Sequence, residues 1–311
     1  MAGKTYSDLI EKTLRYLTPT QVEQTLQITT NYVAASGTLV VDSTSPAYAS
    51  AGRPGTVLAC GLQLWLVQKD NGSGNLSVIG GFQGSTDANV TASTTSPTAT
   101  VYVRPKFSRY DISEAINDEL LALGSPDNGL GQVLTTDITY VPAFMGYALP
   151  ATFDNASSKV LEVSYKVPDP SRRFPLIRHG DYRVVRNQSD SVFPNGAGII
   201  VYKKAMAGLP IHVTYLAPFS TLVNLTDNVL TVAGMPVSAQ DIVPLGTAIR
   251  LAPTREVQRN TMAAQPDPRK ATEVPPNAIQ ASVNALQMQY QARISQERNR
   301  LMRAFPEAEG Y

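Results

Sequence analysis

Short runs of β-branched or alternating residues, each cut off by a turn rich in Gly, Pro, Asn or Ser, make this a chain built chiefly from strands. TLQITT, GTLVV, GTVLAC, LQLWLVQK, NLSVIGGF and TATVYVR fill residues 25 to 104. QVLTTDITYV, KVLEVSYKV, YRVVRN, GIIVYKK and LPIHVTYLA fill residues 129 to 235. Runs of this length, with turns such as DNGSGN between them, are antiparallel strands. The first set predicts a small β-barrel or sandwich. The second, more widely spaced and with Pro-rich turns at PDPSRRFP and FPNG, predicts a second β-sandwich.

Helical spacing interrupts this pattern. Residues 5 to 17 place Leu9, Ile10, Leu14 and Leu17 on one face. RPKFSRYDISEAINDELLALG, residues 104 to 124, repeats Ile112, Ala115, Ile116, Leu120 and Leu123, with Glu114, Asn117, Asp118 and Glu119 assigned to the polar face. Asp111 and Glu114 are expected to form its capping box. Ser238 is expected to cap AQDIVPLGTAIRL, which Pro244 and Pro253 divide into two short pieces. PDPRKATEVPPN, 266 to 277, is a Pro-rich linker.

The C-terminal segment NAIQASVNALQMQYQARISQERNRLMRAF sets Ile279, Val283, Leu286, Tyr290, Ile294, Leu301 and Phe305 in one stripe, and Pro306 ends it. Arg293, Arg298, Arg300 and Arg303 crowd its last turns, where cations suit the helix dipole. Two readings fit. It is a core helix with solvated arginines, or an assembly helix that meets another subunit through Ile279, Val283, Leu286, Tyr290, Ile294 and Leu301 and through its four arginines.

The 311 residues suffice for about two domains. A net charge of +1 supplies no field to recruit nucleic acid or an anionic membrane. Cys60 is the sole cysteine, so neither an internal disulfide nor a Cys-based zinc site is available. The N-terminus MAGKTYSDLIEKTLRYL has no apolar signal core, and folding in a cytoplasm is expected. Of the two histidines, His212 alternates against Ile211 and Val213 and so faces outward or fills a polar gap, while His179 sits in the turn IRHGD near Asp181. No nucleophile elbow, phosphate loop or dinucleotide fingerprint occurs. GSGNLSVIGGFQG reads as hairpin turns. Arg172, Arg173, Arg178, Arg183 and Arg186 form a basic cluster, read as a solvated or partner-facing loop. The sequence therefore assigns no catalytic, cofactor-binding or metal-ligating residue, and no cofactor.

The order of these parts has a familiar form. A short helix leads into a β domain ending VYVRPKFSRYDISEAINDELLAL. A β-sandwich with YALPATFDNASSKVLEVSYKVPD and FPNGAGIIVY follows, then AQDIVPLGTAIRL, a Pro-rich hinge and a final helix ending ERNRLMRAFP. This resembles head-to-tail adaptor (connector) proteins in the neck of tailed bacteriophages. The resemblance implies an α+β, mostly β fold: a discontinuous helical core with two β-sandwich or barrel insertions and a long C-terminal helix. Its parts would be the N-terminal helix (1–24), a small β domain (25–104), a core helix (105–128), a second β-sandwich (129–235), more helical core (236–265), and the linker with its assembly helix (266–311). It further implies a structural, non-enzymatic virion protein in a homo-oligomeric ring, a dodecamer. The ring would be assembled in the host cytoplasm and would bind the portal protein and the next neck or tail protein. DNA would pass through it without sequence-specific binding, and no membrane would be involved. Two other classes stay open: a tail or baseplate component with β domains facing a host surface, and a polysaccharide-processing enzyme.

Overall fold

The strand runs of the first set become a single antiparallel sheet. In this computed structural model, which describes residues 3–18, 23–92, 99–125, 128–141, 143–169, 174–189, 191–202, 209–262 and 278–306 (backbone alone for 254–262 and 278–282), the chain divides into two compact units. One unit holds Ser7–Ile116 and Thr247–Pro275; the other holds Met1–Tyr6, Asn117–Gly246 and Pro276–Tyr311. Helices and antiparallel sheets make up both.

In the first unit, β1 (Gln24–Gln27), β2 (Thr38–Val40), β3 (Val57–Cys60), β4 (Gln63–Asp70), β5 (Asn75–Gly80) and β6 (Thr100–Val103) take the order β1-β6-β3-β4-β5-β2. The sheet curls into a half-barrel whose edge strands touch: Ile28 bridges Val41, and Thr29 N–H donates to the Val40 carbonyl. Its interior is closed by Trp65, against which Tyr32 stands edge-on at 5.2 Å, with Leu26, Leu39, Leu58 and Leu76. Cys60 belongs to this core, and burial pushes its thiol up to about 11, so it stays protonated and inert. Gly74, at φ 85°, is the turn residue that the β4–β5 hairpin needs; a Cβ there would lie 2.2 Å from the Val41 carbonyl oxygen. Asp87 ties a loop to the barrel, accepting from Tyr32 Oη and Gln63 Nε2, both at 2.8 Å, and from Ala35 N–H at 2.7 Å.

The first unit also takes most of α1 (Tyr6–Leu17), α2 (Tyr48–Ala51) and the first half of α3 (Arg109–Leu123). Arg109 pairs with Glu11 at 2.7 Å and lies 4.1 Å over the Tyr102 ring. The five apolar residues expected to be buried on α3 are buried. Its cap differs from the expectation. Ser108 Oγ accepts from Asp111 N–H at 2.9 Å, so Ser108 is the N-cap and Asp111 the third helical residue, one turn earlier than the Asp111–Glu114 box.

The second unit contains two three-stranded antiparallel sheets. Strands β7 (Gln132–Ile138), β12 (Ile211–Ala217) and β9 (Lys159–Tyr165) form one; β10 (Tyr182–Val185), β11 (Gly198–Val201) and β8 (Gly146–Ala148) form the other. Tyr147, Tyr182, Ile199 and Val201 of one sheet share a buried cluster with Val160, Val163, Ile211, Val213 and Tyr215 of the other. Strand β8 has no sequence signal, because three residues with a glycine among them are too few to show a period. The chain start joins this unit: Thr5 bridges Asn228, and Gln240 Oε1 accepts from Lys4 N–H at 3.0 Å.

Helix α4 (Ile242–Met262) is one element, not two pieces. Pro244 lies in its first turn, where an amide has no helical acceptor to lose, and Pro253 interrupts the bonding without ending the helix. Ser238 is not its cap; it lies in a short 3-10 turn, Val237–Ala239. With α5 (Ala278–Ala304) at 27 residues and α4 at 21, helix takes more of the chain than a mostly β reading assigned.

Candidate assembly interface

α5 forms because its apolar residues recur at four- and three-residue steps and no proline falls before Pro306. At about 100° per residue, Val283, Leu286, Tyr290, Glu297 and Leu301 fall within about 60° of one another. That stripe is used inside its own unit. Val283 and Ile294 are buried, and Leu286 and Tyr290 half-buried. Leu301 and Phe305 cover Leu161 on β9 and Leu216 on β12. Ile279 lies where no side chains are described.

Polar groups fasten the same face. Tyr290 Oη donates to Glu119 Oε1 at 2.5 Å. The Arg293 guanidinium donates to Asp241 from Nε at 2.8 Å and from Nη2 at 3.0 Å, and to the Ser238 carbonyl at 2.7 Å. The Asp241 bond, first among its surroundings, holds the Arg293 pKa above its ordinary value. Glu297, buried in the middle of the stripe, accepts from Ser238 Oγ at 3.2 Å and pairs with Arg293 and Arg300 at 3.4 and 2.9 Å. Buried charges need such partners. Arg298 and Arg303 are exposed.

The predicted interaction residues thus fall into an inward group and the exposed arginines Arg298, Arg300 and Arg303, with Ile279 outside the described side chains. Leu301 packs on the sheet, Tyr290 meets Glu119 on α3, Arg293 meets residues 238 and 241, and Val283, Leu286 and Ile294 are buried or half-buried. The opposite flank, which runs through Ala285, Met288, Ala292, Ser295 and Asn299, is exposed. Met288 is 71% exposed there. Glu119, Asp241 and Glu297 were missed as anchors, although Glu119 and Glu297 stand inside apolar stripes, where an acid implies a buried partner.

No protein-family model matches the chain, and no curated protein matches it.

The second unit also contains a row with the composition of a hydrolase triad. Asp137, His212 and Ser164 lie opposite one another on β7, β12 and β9, and His212 Nδ1 is 2.7 Å from Asp137 Oδ1. The relay stops at that pair. Ser164 Oγ is fully buried and without a hydrogen bond, so it reaches neither the imidazole nor solvent. Lys166 also holds Asp137, and Phe174 stands edge-on to the His212 ring at 5.3 Å. His179 stacks on Tyr182 at 5.1 Å. Among the described residues no group of three or more His, Cys, Asp or Glu could hold a metal, and no helix is long and apolar enough to cross a membrane. Of the basic cluster, Arg186 is tied to main-chain carbonyls, Arg178 and Arg183 are exposed, and Arg172 and Arg173 lie outside the described residues.

Proposed function

We propose that this chain is a structural virion protein of a tailed bacteriophage, a ring-forming head-to-tail adaptor between portal and tail, without enzymatic activity. In this reading α3 and α4 are the segments of a discontinuous helical core that carries the two β modules as insertions. Copies of the chain form the ring, the portal and the next neck or tail protein are its neighbours, and DNA passes through without sequence recognition. The observation that carries the proposal is α5. One flank of this 27-residue helix is pinned to its own unit by Arg293, Glu297 and Tyr290, and the Met288 flank is exposed from Ala285 to Asn299. A rigid, uncovered helix face is what subunit packing uses. The order of helices and β modules, which resembles that of neck adaptors, supports the neck assignment, and the sealed Ser164 supports the non-enzymatic part.

The test is electron microscopy of the purified full chain. Class averages showing closed rings of one copy number are expected. A chain that stays monomeric by light scattering at its highest soluble concentration overturns the proposal. A second reading, a tail or baseplate component whose β domains face a host surface, draws on Phe144, Met145 and Tyr202, which are all exposed, with Val201 N–H bonded to the Met145 carbonyl. Binding of the isolated protein to host cells would favour it.

A further inference from the structure

The sheet β7-β12-β9 has two edges, and the chain itself covers one of them. Along β9, Tyr165 N–H donates to the Pro175 carbonyl at 2.9 Å and Ile177 N–H to the Val163 carbonyl at 2.8 Å, so an extended piece of chain lies on that edge. The β7 edge carries nothing of this kind. The bond from Lys166 N–H to the Pro210 carbonyl sets the alternation along β12: His212 and Thr214 bond to β9, and Ile211, Val213, Tyr215 and Ala217 bond to β7. Their partners on β7 are Ile138, Thr136, Leu134 and Gln132. The N–H and C=O groups of Val133, Thr135 and Asp137 therefore point away from the sheet, and no group among the described residues meets them. Natural sheets blunt such edges with Pro, Lys, a bulge or a very short strand. Strand β7, QVLTTDI, has seven residues without Pro, Gly or Lys, and its ladder has no register shift. Its one charge, Asp137, is held by Lys166 and His212. Val133 also lines a cavity of about 270 Å³ with Leu130, Phe219, Leu230, Pro236 and Leu301. The two charged residues of that lining, Glu297 and Arg300, pair with each other at 2.9 Å.

We infer that β7 receives an extended segment of a partner polypeptide as a fourth strand, one residue of which sets an apolar side chain beside Val133 in this cavity. A row of unanswered N–H and C=O groups selects an extended backbone, and a pocket beside the row selects which side chain the backbone carries there. The cavity lies below the roughly 300–1,000 Å³ of whole-ligand sites and so suits a side chain better than a free small molecule. The covered edge of the same sheet shows the mode, for Pro175–Ile177 fills it by the same main-chain bonds. Leu134 and Ile138 of β7 already pack on the cluster shared by the two sheets, so apolar residues of the new strand on that face would extend it. The inference deepens the assembly reading and rests on it for one point, that the partner is a neighbouring protein of the particle.

The test titrates the full chain into a fluorescein-labelled, blocked peptide of sequence Lys-Val-Thr-Val-Leu-Val-Lys and follows anisotropy. Paired antiparallel, this peptide sets Leu opposite Val133, Thr opposite Thr135 and its first Lys opposite Asp137. Saturable binding is expected, with amide exchange slowed at Val133, Thr135 and Asp137. Methyl groups on the peptide's Thr and Leu amides, which face β7, should abolish binding; methyl groups on two of its Val amides, which face away, should preserve it. Replacing the peptide's Leu by Ser should weaken binding roughly tenfold. Thr135→Pro removes an outward N–H and no bond to β12, so it should abolish binding in a chain that stays folded. The peptide series is read on the natural chain and decides the matter even if that variant misfolds. Absence of binding, or equal loss from methyl groups on either set of amides, overturns the inference. Slow exchange of the three amides in the chain alone also overturns it, since the edge would then be filled by the chain or by a second copy. Ring formation is read on the same samples by light scattering. Rings that bind no peptide leave the adaptor reading intact and remove this one; monomers that bind it as described do the reverse.

Discussion

The carboxylate of Glu119 fills the space beside Gly246 that any side chain there would need: a Cβ on Gly246 would lie 2.1 Å from Glu119 Oε1. Glu119 is only 2% exposed, and the Tyr290 hydroxyl donates to it. A glycine on α4 thus makes room for an acid on α3 that a tyrosine on α5 satisfies. Gly246→Ala should cost about 1–3 kcal/mol by overpacking. Glu119→Ala removes the obstruction but leaves the Tyr290 hydroxyl without this acceptor. In a double-mutant cycle by denaturant unfolding, the pair should therefore cost less than the sum of the single changes. Strict additivity would show that the two groups do not compete for the same space.

Ser108→Ala should destabilise by about 1 kcal/mol, because it removes the acceptor for Asp111 N–H. Asp111→Ala should cost less than about 0.5 kcal/mol. Chemical denaturation of both variants checks the order; a larger loss at Asp111 would move the cap back to the box expected from sequence.

What was readable in α3 and what was not have separate causes. Its apolar stripe follows from spacing alone, and Ile112, Ala115, Ile116, Leu120 and Leu123 are all buried. Glu119 was assigned to the polar face by its chemistry, yet at about 100° per residue it lies only about 20° from Ile112, in the middle of the stripe. Position outranked polarity there because Tyr290, 171 residues away, supplies the partner. No local pattern reveals such a partner. The same holds for Glu297 on α5, and for the α5 stripe as a whole. Its period was legible, but which surface it covers depends on Leu161 and Leu216, remote in sequence. The eleven strand runs were visible for the opposite reason, since alternation and turn residues are local signals.

Asp137 carries a pH dependence of known sign. Its hydrogen bond from Lys166 and then that from His212 hold its carboxyl below the usual carboxylate range. A depressed folded pKa stabilises above the unfolded value of about 3.9 and loses that contribution as pH falls through the folded one. Asp137→Asn should therefore be less stable than the natural chain near neutrality, with the gap closing below about pH 4. Melting curves across that window decide it; a gap that widens on acidification would reverse the sign and exclude the ion pairs as its source.

The two faces of α5 can be tested against each other. Arg293 serves the inner face, and Arg293→Ala removes one partner of Asp241 and leaves Glu297 to Arg300 and Ser238. A loss of about 1–3 kcal/mol is expected, because the charged hydrogen bonds that join Arg293 to Asp241 and to the Ser238 carbonyl are lost. Met288 stands on the outer face, exposed, so Met288→Glu should change the stability of the isolated chain by less than about 0.5 kcal/mol. If that flank packs on a neighbouring subunit, the same substitution would bury an unpaired carboxylate in the interface and dissociate the ring. Thermal melting and light scattering on both variants therefore read two different properties. The expected pattern is an early-melting Arg293→Ala that still assembles while folded, beside a normally melting Met288→Glu that does not. Normal assembly of Met288→Glu would remove the outer flank from the interface. Loss of folding in that variant would show that the flank is covered by its own chain.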